Sequence, residues 1–160
     1  MGSLDKSGMV EAILDNISEL AFFNNFESQE LDIISRHMSL RDIEKDEVVF
    51  EEGEKGNYMC FVAEGSLNIV KDIDGKKNVI ISTVSRGKSL GEMAMVDLSP
   101  RSATVIGARK TELVIMGRQA FDLILERNPK IGVKLLSGVA RMLSLHLRQA
   151  SGRLADKMAT

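Results

Sequence analysis

Residues Ser66–Val84 read SLNIVKDIDGKKNVIISTV, two runs rich in Val, Ile and Thr that meet at Asp74-Gly75. An Asp-Gly pair supplies the two positive-φ positions that a two-residue hairpin turn requires, so this stretch is predicted to be an antiparallel β-hairpin. The same punctuation continues on both sides. Gly53, Gly56, Gly65, Gly75, Gly87 and Gly107 divide Leu40–Met116 into short apolar or alternating runs, among them NYMCFVAEG, SATVIGA and TELVIMG. Runs of about five to eight residues bounded by glycine have the length and composition of strands. Many short strands with no long helix between them predict a β-barrel or jelly roll and argue against a parallel doubly wound sheet.

The flanks are helical. From about Met9 to Met38 the segments VEAILDNI, SELAFFNNF and SQELDIISRHM read as short helices, with Leu31, Ile34 and Met38 at helical spacing and Ser28 suggesting a capped start. After Gly117, RQAFDLILERNP reads as a short helix closed near Pro129, and the chain from Lys130 to about Asp156 as one long helix weakened only at Gly132, Gly138 and Gly152. Leu136, Val139, Leu143, Leu147, Ala150 and Leu154 trace one helix face, and Ile131, Leu135, Met142 and Leu145 a second apolar edge. The expected organisation is a helical segment over residues 1–38, a β region over 39–117 and C-terminal helices over 118–160, the long one covering about 130–156.

Composition excludes several functions. A chain of 160 residues, 44% hydrophobic, is about one domain long. Lys plus Arg total 21 against 23 Asp plus Glu, a net charge of −2 that offers no field to draw in nucleic acid, so no direct nucleic-acid binding is expected. No uncharged stretch approaches the roughly 20 apolar residues of a membrane helix, and MGSLDKSGMV has no apolar signal core, so the chain is expected to be soluble, cytoplasmic and free of membrane. The single cysteine, Cys60, lies in YMCFVA, where a small buried thiol is expected. The two histidines, His37 and His146, are far apart in sequence, so no metal centre is expected. A cupin-type metalloenzyme, the catalytic alternative for a jelly roll, usually needs several histidines inside the barrel, and Leu40–Met116 contains none. With no nucleophile–base pair either, the chain is not expected to be an enzyme.

One connection differs from its neighbours. Gly91–Val105, GEMAMVDLSPRSATV, sets Glu92 nine residues before Arg101 with mostly small and apolar residues between. EMAMVDL has the spacing of a helical turn or two, which would begin near Gly91 and expose unpaired N–H groups suited to an anion. A glycine there lets a ligand approach the backbone. Arg101 offers forked donors for phosphate oxygens, whereas Glu92 would repel phosphate and instead accept hydrogen bonds from hydroxyls. A sugar phosphate carries both groups. The plainer reading, an ion pair between Glu92 and Arg101 or a cap on the short helix, is the more common use of such a pair.

The stretch also resembles the phosphate-binding cassette of the cyclic nucleotide-binding domain family, Gly-Glu, a short apolar helix, then Pro-Arg, a small residue, Ala, any residue and Val. Here these are Gly91-Glu92-Met93-Ala94 and Pro100-Arg101-Ser102-Ala103-Thr104-Val105. VVFEEGEKGNYMCFVAEGSLNIV upstream is similar to the family's glycine-containing hairpins, and FDLILERNPKIGVKLLSGVARMLSLHLR downstream to its hinge and long helix, so the resemblance runs from about Leu20 to about Leu154. It implies a mainly β fold, an eight-stranded jelly roll with N-terminal helices and a long C-terminal helix. The implied ligand is a cyclic nucleotide, adenosine 3′,5′-cyclic monophosphate (cAMP) first and cyclic guanosine monophosphate (cGMP) second, with no metal. Arg101 would pair the cyclic phosphate and Glu92 the ribose 2′-hydroxyl. Backbone at Gly91, Met93 and Ala94 would line the phosphate end, Ser102 would add a hydroxyl, and Ala103 completes the ligand-binding set.

The chain departs from the pattern in two places. Leu90 stands where a phenylalanine often precedes Gly-Glu. The bacterial catabolite activator branch reads the base through a Thr-Ser pair on its long helix, and the nearest equivalents here are His146 and Leu147. Members of the family transmit binding by moving the helices after the barrel, so a cyclic-nucleotide sensor or regulatory domain acting on an effector protein is implied. The alternatives are a regulatory piece of a larger protein and a degenerate barrel serving as a nucleotide-independent dimerisation or protein-interaction module. A helix of about 25 residues spans roughly 37 Å and overruns a small barrel. Its spare apolar face, with Lys134, Arg141, Arg148 and Arg153 on the polar side, predicts a parallel homodimer.

Overall fold

A computed structural model describes residues 5–159. Helix α1 (Lys6–Ser18), a 3₁₀ turn at Ala21–Phe23 and helix α2 (Ser28–Ser35) precede eight strands: β1 (Met38–Ile43), β2 (Val48–Phe50), β3 (Tyr58–Glu64), β4 (Ser66–Ile73), β5 (Lys76–Ser85), β6 (Ser89–Leu90), β7 (Thr104–Gly107) and β8 (Thr111–Gly117). A second 3₁₀ turn, Glu92–Met95, lies between β6 and β7, and helices α3 (Arg118–Arg127) and α4 (Pro129–Ala159) follow β8. The strands form two antiparallel four-stranded sheets, β1-β8-β3-β6 and β2-β7-β4-β5. This is the mainly β jelly roll with flanking helices that the sequence implied.

The hairpin turns where its sequence requires. Asp74 (φ 51°) and Gly75 (φ 79°) form the turn, and Ile73 faces Lys76 across it. Strand β3 packs in two directions. Met59, Phe61 and Ala63 face the helices, while Cys60 and Val62 face the barrel interior, so the run YMCFVA is buried on both sides and shows no polar alternation. Two cores result. One lies inside the barrel around Ile43, Leu67, Leu90, Val105 and Leu113. The other joins the outer face of the β1-β8-β3-β6 sheet to the helices through Ile17, Phe23, Ile34, Phe121, Ile124 and Leu135.

Two local expectations need correction. Helix α2 is capped by Glu27, not Ser28, in a reciprocal capping box with Glu30. The helical turn expected to begin near Gly91 is present as a single 3₁₀ turn, Glu92–Met95, with Gly91 at its N-cap. Helix α4 buries Ile131, Leu135 and Val139 against the body, so Val139 belongs to the core edge and not with Leu136, Leu147 and Leu154, which are exposed. Helix α4 is continuous through Gly132, Gly138 and Gly152, and its 31 residues measure about 46 Å. Gly138 and Gly132 have packing roles: a Cβ would lie 2.6 Å from the Phe22 ring at the first and 2.9 Å from the Leu125 Cα at the second. Cys60 is wholly buried, which pushes its thiol up to about 12.

Candidate functional site

Between the β2-β7-β4-β5 sheet, the Glu92–Met95 turn and α4 lies a cavity of about 730 Å³, within the size range of small-molecule sites. Gly91, Glu92, Met93, Ala94, Arg101, Ser102 and Ala103 all line it. Leu90, Val84, Ile69 and Val105 supply apolar wall, and Met142, Leu143 and His146 of α4 close one side. Ser102 is exposed at the mouth, whereas Glu92 and Arg101 are 3% and 8% exposed.

Arg101 is held from four directions. Its guanidinium carbon lies 4.0 Å from the centre of the Phe50 ring and 4.6 Å from that of Tyr58, an aromatic clamp that favours a cation. Nη2 donates to the Tyr58 carbonyl at 2.8 Å. The Arg101 backbone is stitched to the loop before β3, its N–H donating to the Glu54 carbonyl (2.7 Å) and its carbonyl accepting from the Gly53 N–H (2.8 Å). Both nearby glycines make room for the side chain, since a Cβ on Gly56 would lie 3.1 Å from Cζ and one on Gly91 2.7 Å from Nη1. Gly91 also sits at φ +83°, where only glycine is at ease. Its need for glycine therefore comes from its own backbone and from the Arg101 tip, beyond the ligand approach expected from sequence.

Glu92 and Arg101 do not pair with each other. Among the described residues no carboxylate oxygen lies within 4 Å of the Arg101 guanidinium. Burial therefore lowers the Arg101 pKa from its usual value, with only partial relief from Tyr58 and more distant groups. Glu92 accepts from Ser89 Oγ at 2.7 Å through Oε1, while its Oε2 lies 3.7 Å from His146 Nδ1. The cavity thus has a buried cation and a buried carboxylate, each with capacity left for a ligand.

Sequence reasoning did not find Ser89, which orients Glu92, nor Phe50 and Tyr58, which hold Arg101. It also missed Arg118, whose Nη1 donates to the Ala94 carbonyl at 3.1 Å and ties the cassette to α3. Arg153, expected on the polar side of α4, lines the cavity instead. Among the described residues no cluster of three or more His, Cys, Asp or Glu side chains could hold a metal ion, and no helix is long and apolar enough to cross a membrane.

The sequence pattern described as cyclic nucleotide-binding domain matches residues 40–128, more than half of the chain. The chain belongs to the cyclic nucleotide-binding domain family. It is 28% identical over 141 residues to a cAMP-dependent protein kinase regulatory subunit of Mycosarcoma maydis, covering 85% of this chain and 25% of that protein. It is 24% identical over 121 residues to the cyclic AMP receptor protein of Thermus thermophilus, covering 76% and 56%. The crystal structure of a cyclic nucleotide-binding domain from Methylobacillus flagellatus superposes with a TM-score of 0.80 at 29% identity, over 92% of this chain and 83% of that one. The regulatory domain of Toxoplasma gondii protein kinase A, crystallised with cAMP, gives 0.63 at 29% identity, over 76% and 46%. The cyclic nucleotide-binding domain described here spans a quarter to a third of the length of the first curated relatives it matches.

Proposed function

We propose that this cyclic nucleotide-binding domain is a non-catalytic sensor of a cyclic mononucleotide, cAMP first and cGMP second. The reading rests on one observation above the others. Among the described residues Arg101 has no carboxylate partner within 4 Å, and it is buried at a cavity that also holds the buried Glu92. A cation taken out of water and left unpaired costs stability, so its retention is best accounted for by an anionic ligand. Arg101 would form charge-assisted, forked hydrogen bonds to the cyclic phosphate. Oε2 of Glu92 would accept the ribose 2′-hydroxyl, Ser102 would add a hydroxyl at the mouth, and backbone at Gly91, Met93 and Ala94 would line the phosphate end beside Ala103. The apolar walls suit a purine.

In this reading residues 39–117 bind the ligand, while 1–38 and 118–160 carry the signal in the cytoplasm to an effector protein. The exposed Leu147, Leu154 and Met158, 69%, 60% and 79% exposed, support a homodimer through α4. They equally favour the second reading, a nucleotide-independent interaction module. Calorimetric titration with cAMP and with cGMP separates the two. Saturable heat with either nucleotide is expected, and no heat with no thermal shift at millimolar nucleotide overturns the sensor.

A further inference from the structure

Helix α4 changes character at Leu143. Up to Val139 it is fixed by buried side chains, whereas from Ser144 to Ala159 every residue is exposed except His146, which is half-buried. His146 is therefore the last half-buried residue of α4. Its Nδ1 lies 3.7 Å from Oε2 of Glu92. The other oxygen of that carboxylate is already taken by Ser89. Oε2 is thus both the fastening point of the outer half of α4 and the atom assigned above to a ligand hydroxyl.

We propose that His146 is a latch, and that a ligand hydroxyl at Glu92 releases the outer half of α4 by taking its place. The release rests on the ligand reading above, while the latch itself does not. A ligand shifts the helix only by the difference between its affinities for the latched and unlatched forms, and competition for one oxygen supplies such a difference. Release re-aims the segment that carries Leu147, Leu154 and Met158, so occupancy of the barrel is passed to the surface available for a partner. The charged groups around the latch are Glu92 and Arg101 from the cassette, Lys88 from the approach to β6, and Arg153 from α4 itself. Glu92 is the one in contact.

The test uses the full chain with His146→Ala and with His146→Gln, which keeps a hydrogen-bond donor at that position. Amide hydrogen exchange without nucleotide is expected to quicken over residues 144–159 in His146→Ala by about two- to fivefold, the range of a partly exposed ion pair. Unchanged exchange there overturns the latch. In calorimetry His146→Ala should bind cAMP about two- to fivefold more tightly than wild type, with His146→Gln between them. Weaker or equal binding by His146→Ala overturns the competition. If wild type and variants all fail to bind cAMP or cGMP, the ligand reading and the release fail together, while the exchange comparison still decides the latch.

Discussion

Replacing Arg101 by Met separates a residue kept for a ligand from one kept for the fold. Methionine is unbranched and similar in length, so it can occupy the slot between Phe50 and Tyr58 without a large cavity. The substitution removes two cation–ring contacts, each about 0.5–2 kcal/mol, and one hydrogen bond from a charged donor, about 1.5–3 kcal/mol. It also removes the desolvation cost of a buried cation that, among the described residues, has no carboxylate within 4 Å, several kcal/mol of opposite sign. The two sides are of similar size. The net change in unfolding free energy is expected within about 1 kcal/mol, or about 2–4 °C in Tm for a chain of this length. Breaking a structural buried ion pair would instead cost about 3–5 kcal/mol, about 6–20 °C. Binding has no such compensation. Loss of even one charge-assisted bond to phosphate, about 1.5–3 kcal/mol, weakens cAMP affinity by at least about tenfold. Thermal melts and calorimetry on the same preparations read both effects. A large fall in Tm with unchanged affinity would refute the reasoning, because Arg101 would then serve the fold and the phosphate would lie elsewhere.

Gly91→Ala should destabilise by about 1–3 kcal/mol in urea denaturation, since it forces a side chain into the left-handed region and its Cβ meets Arg101 Nη1 and the Tyr58 carbonyl. Because the Arg101 tip is the part able to yield, cAMP affinity should fall as well. Glu30→Gln tests the clasp between α2 and α4, where the Glu27 N–H and Lys134 hold the Glu30 carboxyl below its usual 4.5. A depressed carboxyl contributes stability that is full above about pH 4.5 and lost as pH falls through the lower folded value. The Tm gap between wild type and Glu30→Gln should thus be constant near neutrality and close on acidification, and a gap that widens in acid would contradict the assignment. Leu154→Glu with Met158→Glu, both at exposed positions away from the cavity, should convert a dimer to a monomer in sedimentation velocity while leaving cAMP affinity intact. An unchanged sedimentation coefficient would remove α4 as the dimer seam.

The parts of this structure legible in the sequence are those encoded by neighbours. Asp74-Gly75 names its own turn, because the needed dihedrals belong to two adjacent residues. The proximity of Glu92 and Arg101 to one cavity followed from a contiguous motif. What escaped depends on residues distant in the chain. Whether Glu92 paired with Arg101 was open from sequence, since nine residues of irregular chain permit either answer. The fold decided it by seating Arg101 between Phe50 and Tyr58 and turning Glu92 towards Ser89 and His146. Gly53 and Gly56 read only as strand punctuation, yet Gly53 bonds the Arg101 carbonyl and Gly56 leaves space for its guanidinium. The faces of α4 were misread at Val139 because a helix apolar on two edges has no single period that says which edge meets the body.

The same contacts decide where a ligand signal can go. The cassette is tied to α3 through Arg118 and the Ala94 carbonyl, to α4 through Glu92 and His146, and to the loop before β3 through the Arg101 backbone. The inner half of α4 cannot slide over the body without collision. Gly138 lies against the Phe22 ring and Gly132 against the Leu125 backbone, each closer than a side chain would allow, and Lys134 bonds both Glu30 and the Asn25 carbonyl. Packed contacts of this kind hold until they break as a unit and do not deform smoothly. Past Val139 the contacts thin to the half-buried Met142 and Leu143 and the one at His146. A ligand bridging Arg101 and Glu92 therefore meets its least resistance at the outer half of α4, and the pivot is placed between Val139 and His146. Substitutions at Gly132 or Gly138 should consequently act on stability, while those at His146 act on coupling.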